Sequence, residues 1–205
     1  MTAPAPAAAG LSIRQARPAD RDALFEICLR TADSGVDATA LFSDPKLPGY
    51  VWAVPYAVLE PDFAFVLARG DRAIGYVVAA PDTVAFERRL ETEWWPEVRR
   101  AVAGHVASRR LDAGTLERIN TPEAHGEWLA ADYPAHLHIN ILPEAQGGGW
   151  GRRLIETELD ALRRAGIRGV HLGVSPYNER AKGFYRHVGF TDISRGDDVL
   201  FAMKL

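Results

Sequence analysis

The sequence predicts a mixed α/β (α+β) fold: a central twisted mixed sheet of about seven strands flanked by helices, with a helical insertion between the third and fourth strands. Three observations predict it. Short stretches of alternating apolar and polar residues recur between stretches of helical period. Two adjacent apolar stretches on either side of a short turn form a hairpin. The pattern then breaks for a long, mostly helical block before strands and helices alternate again.

The elements follow in order. LSIRQAR (Leu11–Arg17) alternates and reads as a half-buried strand. Pro18, Ala19 and Asp20 open a helix with Asp20 as its N-cap, and Leu24, Phe25, Ile27 and Cys28 form its buried face. The stretch Asp44 to Pro61 carries an apolar, aromatic run between two Pro-containing turns, which suggests a short helix over the sheet. FAFVLARG (Phe63–Gly70), a turn at Asp71–Arg72 and AIGYVVAA (Ala73–Ala80) make the hairpin. From Pro81 to Pro134, Trp94, Trp95, Val98, Val102 and Val106 recur at helical spacing, suggesting two or three helices with Pro96 at an N1 position. The tryptophans read as core packing.

AHLHINILP (Ala135–Pro143) is the next strand, followed by a loop at Glu144–Gly151 and a helix over Arg152–Ala165 that buries Leu154, Ile155, Leu159 and Leu162. Gly166 terminates that helix. GVHLGVS (Gly169–Ser175), a short helix over Asn178–His187, and strands near Phe190–Ser194 and Val199–Met203 complete the order.

Composition excludes several function classes. The chain has 205 residues, the size of one ordinary domain, expected over residues 11–205 behind a disordered Pro/Ala-rich tail at residues 1–10. A formal charge of −3 argues against a dedicated nucleic-acid binder. A single cysteine excludes an intramolecular disulfide framework and a Cys-rich zinc module, and Cys28 itself reads as a core atom. No apolar run approaches the roughly 18 residues of a membrane span, so no membrane partner is expected. With an unpaired thiol and no secretory pattern, the expected location is cytoplasmic. Association through the C-terminal strands into a homodimer is left open.

The most informative residues are Gln146, Gly147, Gly148, Gly149, Trp150, Gly151 and Arg152, between a strand and a helix. Consecutive glycines let backbone N–H groups converge beside a helix N-terminus, which suits a phosphate. Arg152 and Arg153 add positive charge. A Walker loop needs Gly-Lys-Ser/Thr at its end, and a dinucleotide fingerprint would need a glycine where Arg152 stands. A plain Gly-rich turn is an entropically costly alternative.

With its Gln-x-x-Gly-x-Gly pattern (Gln146, Gly149, Gly151) and the later N-E-R-A-K-G-F-Y-R-H-V-G-F run (Asn178, Ala181, Phe184-Tyr185, Gly189-Phe190), the chain resembles the GNAT family of N-acetyltransferases. PGYVWAVPYAVLEPDFAFVLARGDRAIGYVVAAPDT, WWPEV and LAADYPAHLHINILPE further resemble the acetyltransferase-like C-terminal domain of O-GlcNAcases and its free-standing bacterial relatives. Nothing resembles the hydrolase domain, so no glycosidase activity follows. The resemblance implies a GNAT fold and acetyl-CoA (CoA) as cosubstrate, with no metal. The acceptor would be a small-molecule or peptide/protein amine, attacking directly in a ternary complex. Ile139, Asn140 and Ile141 would hold the pantetheine arm in strand fashion. Gln146 and the run Gly147 to Arg152 would hold the pyrophosphate, and Asn178 would bind the arm or fix the next helix.

Tyr185 occupies the family's general-acid position. The position where many relatives carry a basic Glu is Gly173 here. His136, His138 and Asn140 alternate onto one strand face, and His138 is the nearest candidate base, with Asp132, Glu144 or a water chain as alternatives. His171, mid-strand between apolar neighbours, reads as structural. Two other readings stay open: a non-catalytic acetyl-CoA-binding or scaffold module, which a missing base would allow, and a nucleotide-phosphate binder using the same loop.

Overall fold

The computed structural model describes residues 10–123 and 127–205; apart from Gly10, the tail expected at residues 1–10 lies outside the described residues. Strand β1 (Leu11–Gln15) ends two residues before the expected Arg17, and one tight turn at Pro18–Asp20 leads into α1 (Arg21–Leu29). Asp20 precedes the helix but does not cap it with its side chain. Its buried carboxylate instead accepts two hydrogen bonds from the Arg14 guanidinium, at 2.6 and 2.7 Å, and one from the Arg17 N–H at 2.8 Å. A bidentate charged donor is a stronger partner for a carboxylate than a helix amide. Leu24, Phe25, Ile27 and Cys28 are buried as expected, and burial pushes the Cys28 thiol up to about 12.

The segment expected to hold one short helix holds two, α2 (Leu47–Trp52) and α3 (Val54–Leu59), broken at Ala53. In a continuous helix the Pro55 ring would meet the carbonyl of Val51, four residues back. Strands β2 (Ala64–Arg69) and β3 (Arg72–Ala80) form the hairpin.

Between β3 and the next strand the described residues contain four helices, more than the two or three expected. They are α4 (Thr83–Arg89), α5 (Trp95–Ala101), α6 (Asp112–Asn120) and α7 (Glu127–Asp132). A wide π-type turn at Leu90–Trp94 joins α4 to α5, placing Pro96 second rather than first in α5. Trp94 and Trp95 are core residues, with the Trp94 Nε1–H donating to the Tyr50 carbonyl at 2.9 Å. Val106 is not on their face: α5 stops at Ala101, Gly104 follows at φ 78°, and Val106 is 78% exposed.

The chain continues through β4 (Ala135–Ile141), α8 (Trp150–Arg164), β5 (Gly169–Gly173), α9 (Glu179–His187), β6 (Thr191–Asp192) and β7 (Leu200–Lys204). Helix α8 starts two residues before the expected Arg152, because Gly149 in the left-handed region already serves as its cap. It buries Leu154, Ile155, Leu159 and Leu162 and is followed by Gly166 at φ 74°, as its sequence requires.

The seven strands lie in the order β1-β2-β3-β4-β5-β7-β6. The neighbours β4 and β5 are parallel; the other pairs are antiparallel. Helices α1 and α3 pack on one face of β3, and α8 crosses the opposite face of β2, β3 and β4. Alternation along β4 therefore splits its side chains: Asn140 reaches Tyr76 on the α1 side, while Ile141 sits beside Gly151 of α8.

Candidate functional site

Strands β4 and β5 pair only at Ala135–Val170 and His136–His171. Beyond those two rungs they diverge, although β4 stays paired with β3 as far as Ile141. The divergence opens a cleft of about 830 Å³, whose walls include His138, Ile139, Asn140 and Ile141 of β4, the turn after β4, and Asn178 and Tyr185.

The turn closes one end of the cleft. Gly147, Gly148 and Gly149 hold φ values of 86°, 59° and 77°, a left-handed run that only glycine adopts without strain. A Cβ added at Gly147 or Gly149 would meet no atom within 4 Å, so the space beside the turn is open. At Gly148 a Cβ would face the Trp150 ring, 3.5 Å from its Cδ1. The first N–H groups of α8, which lack intrahelical acceptors, point from this end together with the positive pole of a 15-residue helix. Backbone and space thus form a cradle that fits a diphosphate.

Side chains fix the cradle. The Gln146 amide donates to the Ile141 carbonyl at 2.8 Å, tying the turn to the end of β4. The Arg153 guanidinium lies 4.7 Å from the Trp150 ring centre, and Arg152 pairs with Glu156 at 2.7 Å on the exposed helix surface. Gly151 brings α8 against Phe184 of α9. Asn178 caps α9, accepting from the Ala181 N–H at 3.0 Å. Asn178 also lines the cleft.

Tyr185 lines the cleft from α9, packed among Phe184, Phe190 and Phe201, and burial raises its hydroxyl well above the usual phenol range. A phenol held protonated is a proton donor, not a base.

On the opposite face of β4, His136, His138 and Asn140 line up as alternation predicts. The Tyr56 hydroxyl lies 2.8 Å from Nε2 of His136 and 3.0 Å from Nε2 of His138. Nδ1 of His136 lies 2.8 Å from the Thr83 hydroxyl. Asn140 donates to the Tyr76 hydroxyl at 2.7 Å, and Tyr76 in turn hydrogen-bonds the Cys28 thiol. His171 is buried with Nδ1 2.8 Å from the Tyr133 carbonyl, in keeping with a structural role.

The other proposed bases are elsewhere. Asp132 is exposed and pairs with Lys204 at 3.0 Å, and Glu144 pairs with Arg30 at 3.8 Å. Neither reaches the cleft; His138 does. His138 also lines a second cavity of about 740 Å³, sharing with the cleft a wall of Trp52, His138, Gly173, Val174 and Ser175. The insertion supplies Phe86, Glu87, Glu91 and Trp95 to this second cavity, and the β6–β7 connection supplies Asp197 and Asp198. Tyr56 and Thr83 were not singled out in the sequence. They stand 80 and 53 residues from His136, and no local pattern marks them. Among the described residues no group of three or more His, Cys, Asp or Glu could hold a metal ion.

A parallel pair that opens into a cleft, ending in a left-handed glycine turn that starts a helix, matches one family along most of the chain. Residues 36–190 match the Acetyltransferase (GNAT) family. The chain belongs to the GNAT acetyltransferase family. Among solved GNAT-like structures, the crystal structure of SsHAT is 36% identical, with a TM-score of 0.86, covering 95% of this chain and 98% of that one. PaiA N-acetyltransferase from Thermoplasma acidophilum, solved in complex with coenzyme A, shares the fold at 14% identity, with a TM-score of 0.55 over 95% of this chain and 99% of that one. A mycothiol acetyltransferase from Beutenbergia cavernae is 41% identical over 70 residues, which make up 33% of this chain. The match spans only 24% of that enzyme's length. No helix among the described residues is long and apolar enough to cross a membrane.

Proposed function

We propose that this GNAT protein is an acetyl-CoA-dependent N-acetyltransferase acting on the primary amine of a small molecule or a peptide, of the O-GlcNAcase C-terminal type. One observation carries the reading: the β4–β5 divergence leads straight into the open left-handed turn Gly147–Gly149 at the start of α8. The coenzyme A complex of a fold neighbour supports the same ligand class.

In this reading the amides of the turn and of the α8 N-terminus bind the pyrophosphate, with Gln146 holding the turn in register. The diverging edge of β4 at Ile139–Ile141 holds the pantetheine arm. Acetyl-CoA supplies the activated thioester. His138 takes the proton of the acceptor amine, and Tyr185 gives a proton to the departing thiolate. The acceptor enters through the second cavity, which meets the cleft at His138. Carboxylates of Glu87, Glu91, Glu123, Asp197 and Asp198 outnumber Arg118 along that cavity, an arrangement that favours a cationic amine. The helical insertion thereby serves as one wall of the acceptor site.

The test is direct. Calorimetry of the purified protein with acetyl-CoA and with ATP separates a coenzyme A site from a general nucleotide site. Thiol release against a panel of mono-, di- and polyamines and lysine peptides then measures transfer. Tight acetyl-CoA binding without release on any amine would favour the non-catalytic module instead. Absence of acetyl-CoA binding would end both readings.

A further inference from the structure

The hydrogen bonds around His138 have a direction that chemistry assigns. The Pro134 carbonyl can only accept, and it lies 2.8 Å from both the Thr83 hydroxyl and the Thr83 backbone N–H. The Thr83 hydroxyl has one proton. Turned toward His136, that proton would leave two oxygens at 2.8 Å with no hydrogen between them; turned toward Pro134, it makes a good bond. The Thr83 oxygen is then the acceptor of its contact with His136 Nδ1, which carries the proton. With His136 neutral, its other nitrogen is an acceptor, and His136 Nε2 then accepts from the Tyr56 hydroxyl. Tyr56 has spent its only proton, and its oxygen accepts from His138 Nε2 at 3.0 Å.

We infer that Thr83, His136 and Tyr56 form a one-way hydrogen-bond relay that fixes His138 as its Nε2–H tautomer, making Nδ1 its proton-accepting nitrogen. The two histidines, two residues apart on one strand face, are thereby opposite tautomers: His136 protonated at Nδ1, His138 at Nε2. Burial keeps the Tyr56 phenol protonated, with the nearby Glu87 carboxylate acting in the same direction, so the relay does not reverse when His138 gains a proton. Stacking of Tyr56 on Phe86, with ring centres 4.5 Å apart, and edge contacts to both imidazoles hold the phenol in place.

The tautomer assignment rests on hydrogen-bond geometry with His136 neutral; its consequence for transfer rests on the proposed role of His138. When His138 Nδ1 takes the amine proton, the imidazolium keeps its Nε2–H bond to Tyr56, and no proton need pass along the relay. Tyr56, His136 and Thr83 are accordingly positioning residues, not catalytic ones.

Long-range proton–nitrogen correlation spectra of the full chain, uniformly labelled with nitrogen-15 and recorded near pH 8, read each tautomer directly. The expected pattern is a pyrrole-type Nε2 with a pyridine-type Nδ1 for His138, and the reverse for His136. The same tautomer at both residues, or Nδ1–H at His138, would overturn the inference in the unmodified protein. Tyr56→Phe removes the hydroxyl but keeps the ring; the His138 signals should then move toward a tautomer mixture. Unchanged His138 signals in a folded Tyr56→Phe protein would also overturn it. If transfer is observed, the same variant should lower kcat by about 10²-fold and leave the KM for acetyl-CoA within a small factor. An inactive wild-type protein that nonetheless shows the opposite tautomers would overturn the functional reading while leaving the relay intact.

Discussion

Gly151 and Phe184 meet so closely that a Cβ on the glycine would lie 3.3 Å from ring atoms Cε2 and Cζ. That contact sets the distance between α8 and α9, and with it the spacing between the phosphate cradle and Tyr185. Gly151→Ala should be near neutral, since the gain in helix propensity, about 1 kcal/mol, offsets a contact that the ring can relieve by a small shift. Gly151→Val should destabilise by about 1–3 kcal/mol through overpacking. It should also weaken acetyl-CoA binding roughly 10-fold by moving the start of α8, as thermal unfolding and calorimetry on the two variants would show.

The glycine turn makes a second prediction, in which conformation and charge separate. Gly149→Ala meets no neighbour but forces a Cβ at φ 77°, so it should cost about 1–2 kcal/mol of stability and some affinity. Gly149→Asp carries the same strain and adds a carboxylate in the phosphate space, and should abolish binding at low salt. The gap between the variants should narrow as ionic strength rises. Tight acetyl-CoA binding by Gly149→Asp would contradict the location of the cradle.

Tyr185→Phe keeps the packing among Phe184, Phe190 and Phe201 and deletes only the hydroxyl. Turnover should fall by about 10²-fold with cofactor affinity nearly unchanged. Equal loss of kcat and affinity would assign the residue to binding rather than proton donation.

Asp112 ties the insertion to the segment before α2. Its buried carboxylate accepts from the Ser43 hydroxyl at 2.6 Å, the Ser43 N–H at 2.9 Å, and the N–H groups of Ser108 and Arg109 at 2.9 and 2.8 Å. Burial alone would raise its titration point, but these donors outweigh burial and bring it down from 3.8 to about 2. Because the folded state holds the proton less tightly than the unfolded chain, this stabilisation is complete above about pH 4 and disappears as pH falls toward 2. Asp112→Ala should cost about 3 kcal/mol at neutral pH in urea unfolding, and the cost should shrink on acidification.

Glu158 behaves in the opposite sense. It is fully buried in α8, neither carboxyl oxygen has a hydrogen-bond partner, and burial raises its titration point well above 4.5. The folded state therefore holds a proton that the unfolded chain has released, and stability falls as pH rises above about 4.5. Glu158→Leu should remove that slope and stabilise the protein at pH 7 by about 1–3 kcal/mol. A destabilised leucine variant would mean that the carboxyl has a partner when the protein is in solution.

Much of this was legible in the chain. Alternation located β1 and β4, apolar runs around the turn at Asp71–Arg72 located the β2–β3 hairpin, and the glycine triplet marked the left-handed turn before α8, because these are local signals. The errors have a common cause. Asp20 follows the pattern of an N-cap, but Arg14, six residues earlier, captures its carboxylate. Val106 keeps the helical spacing of Trp94 and Trp95, yet the backbone leaves the helix at Ala101. The environment of His138 was hidden for the same reason: Tyr56 and Thr83 come from different helices, and only the fold brings them to β4. Alternation could place the histidines on one face, but not show what faced them.

The two rungs at Ala135–Val170 and His136–His171 are all that stitch the first four strands to the last three through the β4–β5 ladder. Bound along that seam, a ligand acts as mortar between two slabs of one sheet. Hydrogen exchange in β5, β7 and β6 should then slow more on saturation than exchange in β1 and β2, because the far slab gains a backbone connection that the near one never lacked.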